Sequence, residues 1–138
     1  MPWLDGLTES QRDWFRTHGR QLAQLLLGHL DGESEDASAE SLRQAAEGAA
    51  AYGRMTAQLG LSLSQAVEGF LEFRRPFLRQ LATFASSRGL DVATTTELMD
   101  TTERAMDRLL LSAMTGHGLR RGLATHARVA ARRPQAEV

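Results

Sequence analysis

From Thr8 to Ala113, apolar residues recur at helical spacing in four successive stretches, and nowhere do they alternate with the period of a strand. Such a chain has no sheet for its helices to cover, so its apolar faces must be buried by helix on helix. Three breaks divide the stretches: Asp31-Gly32, Gly60 and Arg88-Gly89. Thr8 with Gln11, and Ser62 with Gln65, have the spacing of capping boxes, in which side chain and backbone exchange hydrogen bonds at a helix start. These signals predict helices from Thr8 to Leu30, Ser38 to Gly60, and Leu63 to Ser87. A fourth opens at Asp91 and frays at Gly116-His117-Gly118, and a weaker fifth segment spans Leu119 to Ala131. The expected fold class is all-α, an antiparallel bundle of four to five helices. Residues 1–116 form the helical domain and residues 117–138 a basic C-terminal tail, weakly helical or disordered. The acidic stretch Gly32 to Ala37 reads as a surface loop.

The inner face of the first helix is Phe15, His18, Leu22, Leu25, Leu26 and His29. The second presents Leu42, Ala45, Ala46, Ala49, Gly53, Thr56 and Ala57, mostly small enough for another helix to approach closely. The fourth uses Met99, Thr102, Met106, Leu109 and Ala113. The third helix is the odd one. Its stripe of Leu63, Val67, Phe70, Phe77, Leu78, Leu81 and Phe84 contains a charge, Arg74, four residues after Phe70 and three before Phe77. A buried guanidinium without a partner is costly. Three outcomes relieve it: an ion pair with Glu103 or Asp107 of the fourth helix, an anion or partner chain in a cavity, or snorkelling of the head to the rim. Two residues on, Pro76 removes a backbone hydrogen bond and predicts a kink, because the apolar pattern continues on both sides.

Composition excludes several classes of chemistry. There is no cysteine, hence no disulfide and no thiolate, and all sixteen basic residues are arginine, hence no Schiff-base or phosphate-loop lysine. His18 and His29 lie eleven residues apart, about 16 Å along a helix, too far to share one metal. Both read as core or interface histidines, and His117 and His126 as solvated tail residues. No nucleophile elbow, phosphate loop or dinucleotide fingerprint is present. The expectation is a non-enzyme with no metal and no cofactor. The tail carries Arg120, Arg121, Arg128, Arg132 and Arg133 but no interleaved aromatics, so nucleic acid is not the expected partner. No apolar run approaches the ~20 residues that span a bilayer, and the start shows no secretory signal, so the cytoplasm is the expected compartment. Candidate ligand- or partner-binding residues are Arg74, Phe70, Phe73, Phe77, Met106 and Tyr52.

The segment Ala51-Tyr52-Gly53-Arg54-Met55-Thr56-Ala57-Gln58-Leu59-Gly60-Leu61-Ser62-Leu63, with Ala66 to Phe70 and Phe73-Arg74-Arg75-Pro76-Phe77, resembles the N-terminal domains of RsbRD-type co-antagonists and related bacterial sensor proteins. The likeness covers residues 45–115. It implies an all-helical input domain in stress or transcription signalling, often dimeric and normally fused to an output module. With no output module in this chain, the expectation is a stand-alone partner or a sensor fragment. The family has no catalytic residues to transfer, and Arg74 and Phe70 match its core positions. The implied function is sensory or regulatory, through a protein partner or a small apolar or anionic ligand. The alternatives are a structural homodimer, with the small-residue face of the second helix or the stripe of the fourth as its seam, and a nucleic-acid accessory protein acting through the tail.

Overall fold

Each break in the apolar pattern ends one helix and caps the next. The computed structural model describes residues 2–132, with side chains through residue 118. It contains α1 (Pro2–Asp5), α2 (Glu9–Leu30), α3 (Glu35–Gln58), α4 (Leu63–Ser87) and α5 (Val92–Arg132). Both predicted capping boxes form, Thr8 with Gln11 and Ser62 with Gln65. Asp91 opens α5 by accepting the Thr94 backbone N–H at 2.7 Å, which holds its carboxyl below the usual range. Gly60 and Gly89 take φ of 79° and 65°, and the residue after each donates back into the helix it closes, Leu61 to Thr56 and Leu90 to Ala85.

Two boundaries differ from the sequence reading. Helix α3 begins at Glu35, because Ser34 accepts the Ala37 N–H and acts as its cap. Glu35 and Asp36 therefore belong to a first helical turn, where negative charge is favourable, rather than to a loop. Helix α5 does not fray at Gly116-His117-Gly118 but runs on to Arg132. A helical glycine costs about 1 kcal/mol relative to alanine. Here packing offsets it: a Cβ on Gly116 would meet the Ala50 carbonyl of α3 at 2.3 Å, so only glycine permits that contact. Of the tail expected over residues 117–138, the side chains of residues 119–132 and everything from residue 133 lie outside the described part.

The largest interface joins α3 to α5, followed by α2 to α3 and α4 to α5. Neighbours alternate in direction in two of these pairs: His18 meets Gly48 across α2 and α3, and Leu63 and Val67 line one crevice with Leu110 and Met114 across α4 and α5. The third pair joins second neighbours along the chain, which an up-down bundle makes parallel. Leu42 shares a cleft with Leu98, and Gly53 lies against Ala113, so α3 and α5 run the same way. The small faces explain the pairing, since Ala45, Ala49 and Gly53 let α5 approach closely. Both seams offered for a homodimer are thereby consumed within the chain, Ala45 and Ala49 on one side and Met106 and Leu109 on the other being fully buried. The core gathers Leu26, Tyr52, Phe70, Phe77, Met106 and Leu109. On α4 the buried line is Ala66, Phe70, Phe77, Leu81 and Ala85, while Leu63 and Phe84 at the ends of the predicted stripe are 41% and 47% exposed.

Candidate functional site

Helices α2 and α4 face each other without a continuous seam. At one end the gap opens into a cavity of about 370 Å³. Its floor is Tyr52 of α3, its walls are Phe15 and Leu22 of α2 and Phe70 and Phe73 of α4, and Trp3 of α1 closes one side. Packing among these rings is edge-on: Trp3 and Tyr52 each meet Phe15 at 5.5 and 5.8 Å between centroids. Glycines shape the walls. A Cβ on Gly69 would strike the Tyr52 hydroxyl at 2.2 Å and the Trp3 ring at 2.7 Å, so both aromatic groups depend on its absence. Gly19 on the opposite wall has only Phe73 nearby, at 3.9 Å. Arg12, Arg16 and Glu72 form the polar rim.

Tyr52 is buried and donates its hydroxyl to the Ala66 carbonyl at 2.7 Å, tying α3 to the first turns of α4. Burial, with the nearby Glu68 carboxylate adding to it, pushes the phenol well above its ordinary value of 10.0. Because the folded state holds the proton more tightly than the unfolded chain, this contribution to stability is intact below pH 10 and is lost as pH rises beyond it. Tyr52 is the only tyrosine, and the chain has neither cysteine nor lysine to titrate alongside it. Alkaline unfolding followed by circular dichroism is therefore expected to steepen above pH 10 in the native chain and to flatten in Tyr52→Phe. The same substitution costs about 1 kcal/mol at neutral pH, through loss of the hydrogen bond to the Ala66 carbonyl.

The sequence candidates divide among three places. Tyr52, Phe70 and Phe73 meet at this cavity. Phe77 lines a second, wider cleft between α2 and α4, of about 690 Å³, together with Leu27, Leu81 and Phe84. Met106 lines neither; it is 0% exposed at the centre of the core. Arg74 also lines neither cavity. It is half-buried, its Nε is enclosed without a hydrogen-bond partner, and the ion pair with Glu103 or Asp107 does not form. Both acids point to solvent instead. Only Nε is enclosed; the terminal nitrogens reach the rim, so the side chain snorkels and the cost that remains is that of one unpaired donor.

Three histidines have structural partners. His18 Nε2 lies 2.6 Å from the Gly48 carbonyl with its ring stacked on Trp14, and His29 Nδ1 lies 2.9 Å from the Ser38 carbonyl. Both join α2 to α3. His117, expected to be solvated, is 1% exposed and donates Nε2–H to the Leu61 carbonyl at 2.8 Å. The uninterrupted α5 carries it under the α3–α4 turn, which a helix ending at Gly116 would not have reached. Among the described residues no three His, Asp or Glu side chains converge as a metal site would require, and no helix is long and apolar enough to cross a membrane.

Sequence reasoning missed Trp3, Arg12, Arg16 and Gly69. Gly69 carried a readable signal, since a glycine inside a helix often marks a close approach. Trp3 carried none, because its place depends on how α1 folds back over α4. No family model, curated protein or solved structure matches this chain.

Proposed function

We propose that this chain is a non-catalytic sensory or regulatory helical domain that works by binding a small molecule in the aromatic cavity between α1, α2 and α4. The observation that carries the reading is the cavity itself. It is apolar, walled by rings on three helices, with Gly69 letting Trp3 and Tyr52 pack against α4 and Gly19 leaving the α2 wall without a side chain. Apolar clefts of about 300–1,000 Å³ with a few polar groups are the common form of a ligand site. The likeness of residues 45–115 to bacterial input domains favours the same reading and adds a homodimeric or partner-bound state, and the absence of a long apolar run goes with the cytoplasmic location expected from the sequence.

In this mechanism occupancy acts on α4. Phe70 and Phe73 touch the ligand, and the same helix carries Arg74 and, two residues on, the exposed Pro76. A kink at Pro76 is the natural hinge, because the proline removes one backbone bond there. Arg74 Nε lacks a partner in the arrangement described, and an arrangement of α4 that supplies one is the alternative state whose population a ligand would shift.

A thermal-shift screen with small apolar and amphipathic compounds tests the reading. Gly19→Leu, which fills the cavity, serves as the blocked control. A compound present at 100 times its Kd adds about 2.7 kcal/mol, so hits in the native chain should raise Tm by several degrees and vanish in Gly19→Leu. A flat response in the native chain overturns the ligand reading. A dimer by light scattering would then favour the purely structural homodimer, with the exposed Leu27 and Phe84 face as its surface, since the other seams are buried.

A further inference from the structure

The cavity rim carries more positive than negative charge, and the positive groups lie on α2. Arg12 and Arg16 stand one helical turn apart on α2, both exposed at the head and both lining the cavity along their stems. Arg16 is paired with Asp13, an exposed contact on the same helix. Arg12 has no acidic partner among the described residues. Across the opening, Glu72 is already engaged by Arg75 at 3.3 Å. The rim therefore holds two guanidinium groups, one of them unneutralised, against a single occupied carboxylate. A second donor lies in the wall: the indole nitrogen of Trp3 is buried and has no acceptor within the protein. Donors are left over here, and acceptors are not.

The interior selects shape. Phe15, Tyr52, Phe70, Phe73 and Trp3 offer ring faces and edges, which favour a flat aromatic guest in edge-to-face contact. A protein cavity of about 150 Å³ holds a benzene ring, so 370 Å³ has room for about two fused rings. Resting on the binding reading above, we infer that the site takes an aromatic monocarboxylate. Its rings lie among Phe15, Tyr52 and Phe73 beneath Trp3, and its carboxylate sits at the mouth with Arg12 and Arg16. Arg12 is a specificity residue in this assignment, since it distinguishes the acid from a neutral molecule of the same size.

Isothermal titration with naphthoate and with its uncharged counterpart, naphthalenemethanol, separates charge from shape. The native chain is expected to bind naphthoate at least about tenfold more tightly than the alcohol, with the preference shrinking as salt is raised. The double variant Arg12→Gln, Arg16→Gln, altered only at exposed side chains, should bind both compounds equally and keep the alcohol's affinity. Gly19→Leu should bind neither. Equal binding of acid and alcohol by the native chain overturns the carboxylate assignment and leaves the cavity reading standing. Acid binding that survives in Gly19→Leu places the anion elsewhere and also overturns it. If neither compound binds the native chain, the aromatic-acid assignment falls, while the cavity reading is decided by the wider screen with its blocked control.

Discussion

Gly53→Ala is expected to destabilise the protein by about 3 kcal/mol, lowering Tm by roughly 10 °C, although alanine is the better helix former. A Cβ on Gly53 would lie 1.9 Å from the Ala113 carbonyl oxygen and 2.8 Å from the His117 backbone nitrogen. Both atoms belong to the backbone of α5, so no side chain can swing away to make room. The two helices would have to separate along the largest interface in the molecule. Propensity favours the substitution by about 1 kcal/mol. Overpacking a close contact commonly costs about 1–3 kcal/mol, and more where backbone must move, so the clash wins. Gly118→Ala is the matched control. It introduces the same methyl group into the facing helix α5 with nothing within 4 Å, and it should stabilise by about 0.5–1 kcal/mol. Urea denaturation of the two variants should therefore move in opposite directions. Equal shifts would mean that α3 and α5 do not touch at Gly53.

Met106→Ala is expected to cost about 3 kcal/mol and to leave ligand preference unchanged. Met106 is 0% exposed and packs in the central cluster with residues such as Leu26 and Leu109. Truncation forfeits transfer free energy and leaves a cavity, which in well-packed cores costs about 2–5 kcal/mol. That is a large part of a total stability of about 5–15 kcal/mol. Sequence pattern alone could equally have placed this methionine at a binding surface, since it is adaptable and lies on an apolar stripe. The experiment distinguishes the two positions. A core residue lowers the urea midpoint of the free protein and spares the ratio of acid to alcohol affinities. A changed ratio with unchanged stability would move Met106 into the site.

The helices were legible because their signals are local. Thr8 with Gln11 and Ser62 with Gln65 act within one turn, and Gly60 and Gly89 supply the positive φ at the two turns where α3 and α4 end. The close approach at Ala45, Ala49 and Gly53 was legible too, for small residues at helical spacing admit a neighbour whichever neighbour arrives. Arg74 could be recognised as misplaced, but its partner could not be named. Glu103 and Asp107 were plausible by spacing, yet both turn outward. His117 was misread because two flanking glycines imitate a helix end. The free energy that keeps α5 intact comes from Ala50 and Leu61, more than fifty residues away in the chain.

By itself, the order of residues determined that this chain is helical, where α2 and α4 start, and which face of each helix avoids water. Those properties depend on hydrogen bonds and side-chain spacing within a few residues. Only the tertiary structure decided that α5 packs most closely on α3, that His117 is buried beneath a turn, and that Trp3, Phe15, Tyr52 and Phe73 enclose one space beside Arg12 and Arg16. Such contacts join residues distant in the chain, and their energies depend on how closely two backbones can approach. That distance is set by all the side chains between them at once, and no local pattern records it.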